Sequence, residues 1–102
     1  MKTKEFKKGI EELGYSVSDS YVYWHIKDKE NHLVAIVHKC VLLKFSTDFA
    51  YWQFILDDNK IKVFNLITDF SKTQFYDRDK FTEEQIKLIK EKYSKDLYIL
   101  EE

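Results

Sequence analysis

Few residues in this chain have the chemistry of a reactive or ligating site. They are His25, His32 and His38, the single cysteine Cys40, and the acidic groups Asp57-Asp58 and Asp77-Arg78-Asp79. Three imidazoles on one face could bind a metal, but ligands must converge on one ion. On an extended strand His32 and His38 lie roughly 20 Å apart at ~3.3 Å per residue, so they cannot share one. Cys40 has Lys39 beside it to favour the thiolate, and His38 is the only near candidate for a base. The default is an inert surface cysteine. Metal-dependent hydrolysis needs several acids brought together with a basic residue nearby. Here Asp57-Asp58 is better explained as a helix start and Asp77/Asp79 as a turn. With two glycines in 102 residues there is no glycine-rich phosphate loop, and no Ser/His/Asp spacing. No catalytic residue, cofactor site or metal site is expected, and the protein reads as a non-enzyme.

The elements that would carry these residues are clearer. Two alternating segments surround the polar turn Asp28-Lys29-Glu30-Asn31. In the first, Val22, Trp24 and Ile26 fall on one face, and Tyr21, Tyr23, His25 and Lys27 on the other. In the second, Leu33, Ala35 and Val37 oppose His32, Val34, Ile36 and His38. Side chains alternate across a strand with period two, so this is a hairpin. Asn31 tolerates positive φ at low cost, and loops of either two or four residues keep the same face assignment.

Before the hairpin, residues 3–13 read as an amphipathic helix with Phe6, Ile10 and Leu13 on its dry side. Gly14 stands where a left-handed residue would end that helix, and residues 15–18 alternate as a first strand. A fourth strand is expected over Val41–Phe45, with Val41, Leu43 and Phe45 inward. The aromatic run from Phe49 to Leu56 has no clean period and is left open as loop, helical turn or extended segment. Residues 57–72 return to helical spacing, with a stripe of Val63, Phe64, Ile67 and Phe70. Thr82 and Gln85 form a capping box for a last helix striped by Ile86, Ile89 and Tyr93, with Phe81 placed to staple onto Ile86. Leu97–Leu100 reads as a closing strand or packed tail.

The expected architecture is a single α+β domain over 1–102. Its antiparallel four-stranded meander carries an N-terminal helix and two C-terminal helices packed chiefly on one face. Trp24 and Phe64 are expected to meet in the core. Apolar residues make up 44% of the chain and aromatics 17%, enough for one core. Seventeen Lys and Arg face eighteen acids, interspersed along the chain. Duplex-binding domains usually show a basic excess, because neutralising phosphates supplies much of their affinity. That lowers the expectation of nucleic-acid binding. No apolar run resembles a signal peptide or a spanning helix, and one cysteine cannot form an internal disulfide. A cytoplasmic protein is expected.

Several short patterns occur together: Leu13-Gly14, Asp28-Lys29-Glu30-Asn31, Leu33-Val34-Ala35-Ile36-Val37, Phe45-Ser46-Thr47-Asp48-Phe49, Phe64-Asn65-Leu66-Ile67 and Phe70-Ser71-Lys72-Thr73. As a set they resemble small proteins encoded by phages and prophages of Gram-positive bacteria. That group usually has Asn-Gly where this chain has Glu30-Asn31, and Thr-Pro where it has Thr73-Gln74. The resemblance implies an α+β accessory protein acting in the bacterial host cell, and it carries no established activity or catalytic residues.

With helices on one side of the sheet, Tyr21, Tyr23, His25, Val34, Ile36 and His38 would face outward as an apolar patch with a polar rim. Such patches tend to be interaction sites. The expected function is binding of a protein partner, or self-association, through this face. The alternative is a nucleic-acid-associated protein that stacks bases on Tyr21, Tyr23 and Trp52, with Lys27, Lys39 and Lys44 alongside.

Overall fold

In the computed structural model, which describes residues 1–92, helix α1 (Thr3–Glu12) leads into strands β1 (Ser16–Ser20), β2 (Tyr23–Lys27), β3 (Leu33–His38) and β4 (Phe45–Ser46). A 3-10 turn follows over Ala50–Phe54, then α2 (Asp57–Ser71), a one-turn α3 (Phe75–Arg78) and α4 (Glu83–Lys92). The strands form one antiparallel sheet in the order β1-β2-β3-β4, the expected meander. The expectations for Tyr93 and for Leu97–Leu100 fall outside the described residues.

Local chemistry explains the element ends. Gly14 takes φ +90°, its N–H bonds Glu11 O at 3.0 Å, and the Tyr15 N–H bonds Ile10 O at 3.3 Å. This is a Schellman closure, which satisfies the last carbonyls of α1 through a residue with no Cβ penalty. At α4 the capping box forms as expected: Gln85 N donates to Thr82 Oγ1 at 3.1 Å and Thr82 N to Gln85 Oε1 at 2.9 Å. The aromatic run resolves into the 3-10 turn, which sends Ile55 into the core.

Helices α1 and α2 cross against one face of the sheet. They pack closely at Gly9, where a Cβ would come within 2.9 Å of Leu66 Cδ2. Phe6 and Ile10 of α1 meet Val63, Ile67 and Phe70 of α2 over Ile26, Val34, Ala35 and Val37 of the sheet. Phe6 and Phe70 stack at 4.5 Å between ring centres. Each such side chain, fully withdrawn from water, contributes about 1.5–3 kcal/mol.

Three expectations are corrected here. First, β3 carries a bulge: Ile26 pairs with Ala35 but Lys27 with Leu33, so Val34 is the extra residue. A bulge puts two residues opposite one and breaks the alternation. Val34 therefore joins Ala35 in the core, while Leu33 passes to the side of Lys27. Second, residues 41–44 are not strand. Cys40 N and Val41 N bond the His38 ring, Leu43 N, at φ +55°, bonds Ser71 O, and Lys44 O alone reaches β3, accepting from His38 N at 2.8 Å. Only Phe45 and Ser46 remain to pair with β3. Third, Trp24 and Phe64 are not core partners. Phe64 is 40% exposed and lies against Phe45 and Trp52, because a helix position one step from Val63 is turned by about 100° from the buried stripe.

Candidate functional site

The six residues expected on the outer face separate into three groups. Tyr23, His25 and Ile36 do share that face, half-buried, with His25 opposite Ile36 across the ladder. Val34 and His38 do not belong to an exposed patch. Val34 is drawn inward by the bulge. His38, although opposite Tyr23 on the outer side, is buried beneath an edge-on contact with the Tyr23 ring and the chain that folds back after it. Tyr21 has left the strand for the turn and is 86% exposed at φ +59°.

His38 is a structural acceptor. Its Nδ1 receives the N–H groups of Cys40 at 3.0 Å and Val41 at 2.9 Å, which bends the chain sharply after β3. The same bend aims the His38 and Lys39 carbonyls at Arg78, the residue that sequence reasoning missed. Arg78 is 1% exposed. Its Nη1 donates to His38 O at 2.8 Å and Lys39 O at 2.9 Å, its Nη2 to Ser71 O at 3.1 Å, and its Nε to Thr73 O at 2.7 Å. The guanidinium also lies 4.3 Å over the Phe70 ring. Burial pushes its pKa down to about 10, against the opposing pull of Cys40 and Asp79. Arg78 joins α3 to the chain after β3 and to the end of α2. A neighbouring contact adds to this: Thr3 Oγ1 donates to Asp79 Oδ2 at 2.8 Å, so this carboxylate ties α1 to the chain after α3.

Cys40 sits beside this node, and burial raises its thiol above the usual range despite Arg78, Lys39 and Lys92 nearby. A raised pKa leaves little thiolate for nucleophilic attack. Among the described residues no three His, Cys, Asp or Glu side chains come together as a metal site. His25, His32 and His38 are dispersed: one on the open face, one in a turn, one buried.

His32 belongs to a second region. Asp28 Oδ1 accepts the N–H groups of Glu30 and His32, each at 2.9 Å, and its Oδ2 lies 3.2 Å from His32 Nδ1. Hydrogen bonding, first from the His32 backbone, holds the Asp28 carboxyl below its usual pKa. Asn31 supplies the positive φ of +68°. The His32 ring stacks on Tyr51, 3.8 Å between centres and nearly parallel. Between this turn, the end of α1 and the 3-10 turn lies an open cleft of about 480 Å³, whose wall includes Tyr51, Phe54, Ile55 and Leu56. Phe54 is 71% and Leu56 76% exposed. The aromatic content of residues 49–56 was legible, but its display toward water was not.

A third grouping lies at the other end of β2. Lys7 and Lys39 approach the Trp24 ring at 4.0 and 4.4 Å, and Lys39 also pairs with Asp19. Trp52, expected to act with Tyr21 and Tyr23, lies instead beside Phe64 at 6.5 Å. Among the described residues no helix is long and apolar enough to cross a membrane. No family model, curated protein or solved structure matches the chain.

Proposed function

We propose that this is a non-enzymatic binding protein, an accessory protein of phage or prophage type acting in the host cytoplasm, which engages a protein partner or a second copy of itself. One observation carries the reading. Helices α1 and α2 pack on one face of the sheet, while Tyr23, His25 and Ile36 keep part of their surface in water on the other. A mixed aromatic, imidazole and β-branched surface suits a contact that is partly wet. With Val34 and His38 withdrawn, the surface reduces to Tyr23, His25 and Ile36, with Tyr21 at its end. Burial of the Cys40 thiol, and the use of His38 and Arg78 in holding the chain, weigh against chemistry at the residues best suited to it.

The test is the double substitution Tyr23→Glu with Ile36→Glu. Circular dichroism should be unchanged, because neither side chain is in the core, while partner recovery or self-association is lost. Unaltered association in a folded double variant would remove this face from the account. A second reading, contact with nucleic acid, is favoured by the convergence of Lys7 and Lys39 on Trp24. It predicts binding of labelled DNA at about 50 mM salt that collapses by about 150 mM, since phosphate neutralisation releases counterions. Submicromolar affinity that survives the higher salt would replace the protein-partner reading.

A further inference from the structure

The two ends of β2 differ in charge and in shape. At one end Ser20 pairs with Tyr23, leaving a two-residue turn at Tyr21-Val22. Tyr21 alone of the pair has positive φ, the sign pattern of a type II′ turn, whose first position normally holds glycine. A tyrosine there carries backbone strain, and its ring, 86% exposed, recovers little by packing within the chain. Among the described residues the Lys92 ammonium lies 5.8 Å from the ring centre. Lys7 and Lys39 lie on Trp24, two residues beyond the turn pair, and Lys39 is also paired with Asp19. Among the described residues the result is a protruding aromatic ring at an end of β2 where Lys7, Lys39 and Lys92 outnumber Asp19.

At the other end of β2 is the 480 Å³ cleft, with Tyr51, Phe54 and Leu56 presented to water. Its lining residues and their immediate chain neighbours include Glu12, Asp28, Glu30, Asp57 and Asp58, against Lys27, Lys29 and Lys60. The cleft is therefore an aromatic socket with an acidic surround. Its volume lies within the range of sites that take a single organic group, about 300–1,000 Å³.

We propose that Tyr21 of one copy inserts into the Tyr51–Phe54–Leu56 cleft of the next, so that the protein associates head to tail. The occupant is a second copy because one chain carries both halves: a displayed ring with cations at one end of β2, and an apolar cleft with excess acid at the other. The contact is heterologous, so each bound copy still offers a free ring and a free cleft, and assembly continues unless a ring closes. One inserted side chain with a charged rim is a small interface, so the association is weak and salt-sensitive. This goes beyond the sheet-face reading and uses different residues.

Sedimentation at rising concentration, to about 1 mM, where even millimolar affinity registers, tests it. Wild-type mass should climb with concentration and fall back as salt rises. Tyr21→Glu and Phe54→Glu should each weaken association at least about tenfold while keeping wild-type circular dichroism, as neither residue is in the core. Mixing the two variants should restore association but stop it at a dimer, because one retains the ring and the other the cleft. Tyr21→Phe should associate as wild type, and Tyr21→Gly should not, although glycine suits the turn. A wild type that stays monomeric throughout, or a mixture that forms no dimer, overturns the proposal. So does association abolished by Ile36→Glu yet untouched by Tyr21→Glu, an outcome that would leave the sheet-face reading standing alone.

Discussion

Arg78 and Tyr21 occupy opposite situations from those their side chains suggest. The arginine is 1% exposed and the tyrosine 86%. Arg78 can be buried because its donors meet four carbonyls and its flat face meets Phe70. A buried guanidinium is tolerable when its hydrogen-bonding capacity is nearly filled, and the carbonyls of His38, Lys39 and Thr73 gain a donor from it, while Ser71 O shares it with the Leu43 N–H. Among the described residues Tyr21 has no comparable set of partners. It sits on a backbone conformation that disfavours a side chain, and its ring stands in water. The lesson is that matched partners decide burial here more than hydropathy does. Around Arg78 local choices agree with the fold; at Tyr21 they conflict, and such conflicts concentrate where a protein meets something else.

The contrast can be broken most forcefully at the arginine. Arg78→Met keeps volume and the Phe70 contact but takes the donor from the carbonyls of His38, Lys39 and Thr73, leaving Ser71 O with the Leu43 N–H alone. Unsatisfied buried groups cost roughly 1–3 kcal/mol each, so a loss of at least about 3 kcal/mol is expected in urea unfolding. That is a large share of the ~5–15 kcal/mol typical of a domain. Little loss would mean that water replaces the guanidinium and that the node is less closed than its geometry implies.

The positive-φ positions sharpen the comparison. Gly14 and Tyr21 both lie in left-handed territory. Gly14→Ala should cost about 1–2 kcal/mol from backbone strain alone, with added crowding from the Lys29 Cε that a Cβ would meet at 3.0 Å. Tyr21→Gly should be neutral or stabilising by up to ~1 kcal/mol, because it relieves the same strain and removes no core contact. Thermal melts of the two variants should therefore move in opposite directions. If both fall alike, Tyr21 is held by packing and the contrast dissolves.

The smallest expected effect concerns pH. Burial, then the Lys27 charge, lowers the pKa of His25 below the usual 6.5. The folded state thus binds the proton less readily than the unfolded one. Stability from this group is fully present above pH 6.5 and declines as pH falls through that value toward the folded pKa. His25→Gln should flatten that part of the stability profile by a small amount, as the half-buried ring keeps part of its surface in water. A profile unchanged by the substitution would assign the slope to other groups.

Much of the scaffold was legible from spacing. The hairpin, the Gly14 terminus and the Thr82/Gln85 box depend on residues within a few positions of each other, and all three form, with the hairpin's alternation kept from Ala35 to His38 and broken at Val34. The stripe of α2 was legible except at Phe64, where adjacent apolar residues cannot both face inward. The candidate surface was legible only in part. Tyr23, His25 and Ile36 kept the face that alternation assigns them, whereas one inserted residue at Val34 reversed the pattern beyond it.

What the chain determined by itself was therefore local: helix and strand periods, caps, and an α+β meander. What only the tertiary structure decided were the relations between distant segments. His38 and Arg78 are forty positions apart, and nothing in the spacing of either announces that one carbonyl will meet the other's guanidinium. That contact, with the amides of Cys40 and Val41 bound to the His38 ring, turned an expected strand into a bend. It also took His38 out of the exposed set. The 3-10 turn likewise set Tyr51 on His32 and left Phe54 and Leu56 in water, opening a cleft that no short motif encodes. Periodicity acts through neighbours on one element, whereas burial and hydrogen-bond satisfaction depend on which remote groups the completed fold brings within about 3 Å.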